Sequence, residues 1–211
     1  MSLEISLEEK IKELREKIGN EVNITLKKFE ENKKISLEEK FLELVFCILV
    51  ANCSMKKTFE IWKNIDSNFL KLSKEELSKK LKSFGYRFYN KRAEYIIEAR
   101  NKITLIDEIL KEEDEFKVRE NLVKNFKGLG WKEASHFLRN LGYNNFAILD
   151  RHVLRVLKEF KIIEDVPKSL NKKTYLEIEG KLRELASKLN IKLNELDFYI
   201  FYISSGEIPI K

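Results

Sequence analysis

The chain has 211 residues, 43% of them hydrophobic and 36% charged, with a formal net charge of +6. That length suffices to bury a core needing neither disulfide nor metal, and two cysteines cannot complete a four-thiolate metal or iron–sulfur site. Only two prolines and seven glycines interrupt the chain, which argues against a turn-rich sheet and predicts an all-α fold.

Residues 1–17 alternate acids and bases and lack the apolar stretch of a signal peptide, so a cytoplasmic protein is expected. Helix starts are marked by capping boxes, in which a Ser or Thr and a Glu three residues later satisfy each other's free amides. Ser6 with Glu9, Ser36 with Glu39, Ser73 with Glu76 and Thr174 with Glu177 fit that pattern. After Ser6, the apolar residues Leu7, Ile11, Leu14 and Ile18 share one helical face. Residues 41–51, broken only by Glu43, form the longest apolar run. It is far shorter than the roughly 20 residues that cross a bilayer and reads as a buried central helix over 37–51. Cys47 and Cys53 flank its end and read as small buried hydrophobes. Further helices are predicted over 55–63, 74–83, 90–100, 103–111, 115–125, 132–141, 151–161, 174–190 and 195–204. Residues 161–173, with Pro167 among Lys and Asn, read as the main late loop.

Charge is not spread evenly. Residues 122–158 hold seven cations (Lys124, Lys127, Lys132, Arg139, Arg151, Arg155, Lys158) against Glu133 and Asp150, nearly all of the chain's excess. So local a basic footprint points to a polyanion such as nucleic acid.

Within that stretch, Lys127-Gly128-Leu129-Gly130-Trp131-Lys132-Glu133-Ala134 places two glycines between a helix that ends and one that begins. Gly-x-Gly lets the backbone turn tightly and offer amides to a phosphate at a helix amino terminus. Ala134, Phe137, Leu138 and Leu141 give the second helix an apolar face, completing a helix-hairpin-helix signature. His136 on that helix reads as structural. Eighteen residues after Lys132, Ile148 and Leu149 lead into Asp150, which opens another helix and is at the least its N-cap.

These segments resemble the helix-hairpin-helix DNA glycosylase superfamily. More narrowly, the run from Gly130 to Asn140, followed by Leu149-Asp150-Arg151-His152, is similar to the type-2 8-oxoguanine DNA glycosylase/AP lyases. The resemblance implies that Lys132 is the Schiff-base nucleophile and Asp150 the catalytic aspartate. It extends over most of residues 36–211, through 47–52, which ends in Asn52, and through 84–93, which contains Arg87. Both read as DNA-facing turns. The carboxyl-terminal cysteine cluster of endonuclease III relatives is absent, and no metal or organic cofactor is implied.

The expected architecture is two helical lobes. Residues 36–149 form a central lobe ending in the hairpin at about 115–141, and residues 1–35 with 150–211 form the other. The expected function is excision of 8-oxoguanine and cleavage at the abasic site by β-elimination, by a monomer acting on double-stranded DNA that carries the lesion. An attacking amine must lose its proton. A helix start, the nearby cations Lys127, Arg139 and Arg151, and desolvation by Trp131 all favour that. Asp150 would stabilise charge on the sugar. Gly128, Gly130, Lys127, Arg151 and His152 are the expected phosphate contacts, and Asn52 and Arg87 face the strand left behind when the base flips out. The family resemblance also implies that the terminal Lys211 reads the oxidised base, and Phe198, Phe201 and Tyr202 on the preceding helix are the candidates for a stacking wall. Two alternatives stay open: a glycosylase for another oxidised base, such as a pyrimidine, and a non-catalytic DNA-binding module.

Overall fold

A computed structural model describes residues 5–209, and among them the regular structure is helical. Eleven α-helices follow in order: α1 (Leu7–Glu31), α2 (Leu37–Val50), α3 (Met55–Ile65), α4 (Lys74–Ser83), α5 (Tyr89–Arg100), α6 (Ile103–Leu110), α7 (Glu115–Asn125), α8 (Trp131–Asn140), α9 (Arg151–Glu159), α10 (Lys172–Lys188) and α11 (Leu193–Ser205). No helix among the described residues is long and apolar enough to cross a membrane.

The chain forms two compact units. One is Lys34–Phe137; the other joins the chain before Lys34 to the chain from Leu138 onward. The division therefore falls inside α8, whereas the sequence reading put it after Leu149. The reason is that the end of α8 belongs to the second unit's core. There, Arg139 reaches Asp197 of α11, and its guanidinium lies over the rings of Phe29 and Phe198.

In the unit Lys34–Phe137, α2 is the central helix. The predicted Ser36–Glu39 capping box starts it, with the Ser36 amide donating to Glu39 Oε2 at 2.8 Å. Phe41 and every residue from Glu43 to Val50 are buried, so α2 is covered all round, packing against α3, α5 and α6. Trp62 of α3 fastens to it by donating Nε1–H to the Leu42 carbonyl at 2.7 Å.

In the other unit α1 packs on α11, and α11 on α9 and α10. The Ser6–Glu9 box forms as predicted, and the buried face of α1 continues past Ile18 to Val22 and Phe29. Gly142 has φ +80°, and a Cβ there would sit 2.7 Å from the Phe29 carbonyl and Glu30 Cα. Only glycine lets α8 end this close to the backbone of α1. The predicted capping box at Thr174 does not start α10. Asn171 does so one turn earlier, its side chain accepting the Thr174 amide at 3.0 Å. Asn caps as well as Thr, so the helix takes the earlier start and gains three residues.

Candidate active-site residues

The hairpin is built from the end of α7 and the start of α8. After α7 a tight turn, closed by the Leu129 amide on the Phe126 carbonyl at 3.2 Å, leads into α8. Gly128 sits at φ +88°, where a Cβ would come within 2.8 Å of the Tyr95 ring and 3.2 Å of Arg92 Nη1. It is therefore required both by backbone conformation and by close approach to α5. Gly130 plays a different part. Its amide donates to Glu133 Oε2 at 3.1 Å, so Glu133 closes the first turn of α8 by the reciprocal half of a capping box.

Lys132 lies in that first turn with about a quarter of its side chain exposed, and its Nζ is 3.1 Å from the other oxygen of Glu133. The sequence reading passed over Glu133, although its position three residues after Gly130 was the available signal. The lysine is engaged by an anion. An amine that attacks must leave that pair and give up its proton. Two of the three cations expected to bear on it are also committed elsewhere: Lys127 pairs with Glu98 at 3.0 Å, and Arg139 is buried against Asp197 at 3.4 Å. Arg139 therefore drops out of the basic footprint, as does much of the charge of Lys158, which pairs with Asp165 at 2.6 Å. Among the described residues Lys124, Arg151 and Arg155 are exposed and carry no ion pair.

Beneath the first turn of α8 lies a cation that sequence reasoning also missed. Arg119 of α7 is fully buried, donates to Ser135 Oγ at 3.1 Å, and holds its guanidinium 5.0 Å from the centre of the Trp131 ring. Ser135 in turn donates to the Trp131 carbonyl at 2.8 Å. Trp131 is thus a brace for its helix. His136 is buried edge-on to Phe46, in keeping with a structural role.

The same unit brings the two predicted DNA-facing turns to one end of α2. Tyr86 donates its hydroxyl to the Leu49 carbonyl at 2.6 Å, and Arg92 Nη2 donates to the Ala51 carbonyl at 3.0 Å. Asn52 follows at once, exposed and in the left-handed conformation at φ 63°. Arg87 is exposed and stacks on Phe88.

In the other unit Asp150 is the N-cap of α9. Its Oδ1 accepts the Val153 amide at 2.8 Å; among the described residues no hydrogen bond engages Oδ2. Capping therefore uses only one of the two carboxylate oxygens. Arg151 and His152 are exposed, and His152 Nδ1 lies 3.1 Å from Ser204 Oγ, with its ring 6.3 Å from that of Phe201. The stacking wall needs correcting. Phe198 is fully buried, turned toward Phe29 of α1, and cannot meet a base; Phe201 and Tyr202 are half-buried. Lys211 lies outside the described residues.

Near Asp150, the Asp197 carboxyl is pushed up to about 7. Burial is the main cause and the Asp150 charge adds to it, while Arg139 and the Ile148 amide oppose. An acid in a run as apolar as Leu196 to Ile200 was its sequence signal.

Known proteins resemble this chain over most of its length. Residues 22–191 match the 8-oxoguanine DNA glycosylase family (Ogg-HhH). A Methanocaldococcus jannaschii protein named 8-oxoguanine DNA glycosylase/AP lyase is 48% identical over 200 residues, covering 94% of this chain and 97% of that one. The Thermotoga maritima protein of the same name is 42% identical over 207 residues, covering 96% and 99%. The crystal structure of the M. jannaschii enzyme with DNA containing 8-oxoguanine superposes with a TM-score of 0.93 at 47% identity, covering 96% of this chain and 98% of that one. A likeness of that extent, over helices that place a hairpin lysine and a helix-capping aspartate as described, shows that the chain belongs to the 8-oxoguanine DNA glycosylase family.

Proposed function

We propose that this protein excises 8-oxoguanine from double-stranded DNA and then cuts the strand at the resulting abasic site, using Lys132 as nucleophile and Asp150 as electrostatic stabiliser. The free amine of Lys132 attacks the sugar C1′, and the base leaves with the bonding electron pair and takes up a proton. Asp150 stabilises the positive charge that develops on the sugar, an interaction strongest in the transition state. Opening of the sugar gives an imine to Lys132; loss of a C2′ proton then expels the 3′ phosphate.

The observation that carries this reading is the amine in the first turn of the hairpin helix. A module that only grips phosphates through the hairpin needs no nucleophile there. Its relatives, archaeal and bacterial, bear the name glycosylase/AP lyase, which supports a prokaryotic cytoplasmic repair enzyme. Gly128, Lys127, Arg151 and His152 are read as phosphate contacts, and Asn52 and Arg87 as contacts to the strand left behind; Gly130 drops out of the phosphate set because its amide is taken by Glu133. Lys211 is read as the reader of the oxidised base, with Phe201 and Tyr202 beside it.

The test is trapping with borohydride. Wild-type protein on an 8-oxoguanine duplex gives a covalent adduct, and Lys132→Gln binds the same duplex but gives neither adduct nor strand cleavage. Undiminished trapping by Lys132→Gln overturns the nucleophile, and preferential trapping on an oxidised-pyrimidine duplex overturns the lesion. Deleting Lys211 is expected to weaken discrimination between 8-oxoguanine and guanine more than cleavage of a preformed abasic site. Equal losses remove its recognition role.

A further inference from the structure

The segment between α8 and α9 is the least regular stretch near the proposed chemistry, and its backbone is satisfied in an unusual way. An extended segment has no helix or sheet to take up its amides, and each buried one must find a partner. Ala147, Ile148 and Leu149 are all buried. The Ala147 amide donates to Glu179 Oε1 at 3.1 Å, and its carbonyl accepts the Tyr175 hydroxyl at 2.6 Å. The Ile148 amide donates to Asp197 Oδ1 at 2.8 Å. The Leu149 amide meets the same Tyr175 oxygen at 3.4 Å, and the Asp150 amide turns back to the Ile148 carbonyl at 2.8 Å.

Tyr175, Glu179 and Asp197 are themselves almost wholly buried, and the carboxylates face the guanidiniums of Arg183 and Arg139. Burying two acids costs far more than packing aliphatic side chains of the same size. The unit keeps them where they fix three consecutive residues, and the chain emerges from that grip as Asp150. A carboxylate that stabilises a transition state by preorganisation must be aimed before the reaction begins, and misplacement of about 1 Å costs on the order of 100-fold.

We infer that Tyr175, Glu179 and Asp197 form a buried clamp on residues 147–149 that aims the Asp150 carboxylate, and that all three are positioning residues for base excision. The inference rests on the role proposed above for Asp150. Tyr175 is the member most specific to the clamp, since one hydroxyl serves both Ala147 and Leu149, and none of the three caps α9. That cap is Asp150's own.

The test is Tyr175→Phe, which removes one oxygen and keeps the ring. The single-turnover excision rate is expected to fall roughly 10- to 100-fold. Affinity for the lesion duplex and cleavage of a preformed abasic site should stay within about twofold, and amide exchange at 147–149 should speed up. In an Asp150→Asn background the same substitution should add less than about twofold, because groups acting as a unit are not additive. Glu179→Gln, which keeps an acceptor for the Ala147 amide, should retain excision within about threefold while Glu179→Leu loses it; this pair decides the matter if Tyr175→Phe does not fold. Unchanged excision in Tyr175→Phe, or a loss that multiplies with Asp150→Asn, overturns the clamp. If Asp150→Asn alone leaves excision intact, the role of Asp150 has failed instead, and the clamp has nothing to aim.

Discussion

Lys132 and Asp150 each stand at the start of a helix, yet the two starts are held in opposite ways. At α8 the approach is a glycine turn, the cap is a neighbouring carboxylate, and the lysine sits in a part-exposed ion pair with that same carboxylate. At α9 the approach is gripped by buried side chains of α10 and α11, and Asp150 is itself the cap. The difference matches the roles proposed for the two groups. A nucleophile changes bonding partners several times in one turnover, so a long, part-exposed side chain suits the role proposed for Lys132. A charge that stabilises a transition state works only if it does not reorganise, so rigidity suits Asp150.

The largest expected effect breaks this comparison at α9. Asp150→Asn keeps an N-cap of equal quality, since Asn and Asp cap alike, and removes only the charge. Excision should fall by about 100-fold or more while thermal stability and DNA affinity hold. Stability lost with excision preserved would reduce Asp150 to a cap.

A second effect sharpens the contrast in rigidity. Asp197 is raised from 3.8 to about 7, so between those values the folded protein holds a proton the unfolded chain has lost. Its contribution to stability is complete below about pH 4 and disappears as pH rises through 7. The groups acting on it are the Arg139 guanidinium, the Ile148 amide and the Asp150 carboxylate. Denaturant titrations across this window should show a slope on the order of 1 kcal/mol per pH unit that Asp197→Asn lacks. Equal slopes in both proteins would mean that Asp197 does not titrate there.

Much of this was legible in the sequence because it is written locally. Three capping boxes, the Gly-x-Gly turn and the Asp150 cap each depend on residues within one turn, and all five form. What misled was tertiary. Arg139 counts as a cation in any charge sum, but the end of α8 is buried on every side, and its charge is spent on Asp197. Phe198 and Phe201 are one helical turn apart on an aromatic helix, and only the position of α1 decides that the first lies in the core. Tyr175 and Glu179 fall on the core face of α10 beside Ile178 and Leu182, a face on which buried polar residues stand out only once their partners are known.

The smallest expected effect concerns the hold on Lys132. Glu133 does two things: one oxygen accepts the Gly130 amide and the other pairs with the lysine. Glu133→Gln keeps an acceptor for Gly130 and removes the charge, so folding stability should change by about 1 kcal/mol or less. The chemical effect has a definite sign. If the ion pair only holds the side chain back, removing the charge frees Lys132 to reach the sugar. A pair worth about 0.5–1 kcal/mol then corresponds to roughly a two- to fivefold faster adduct at a preformed abasic site. Borohydride trapping under single-turnover conditions at neutral pH measures that rate directly, with base departure out of the way. A rate that falls instead would mean that Glu133 takes the lysine proton, and α8 would then hold a proton acceptor as well as a nucleophile.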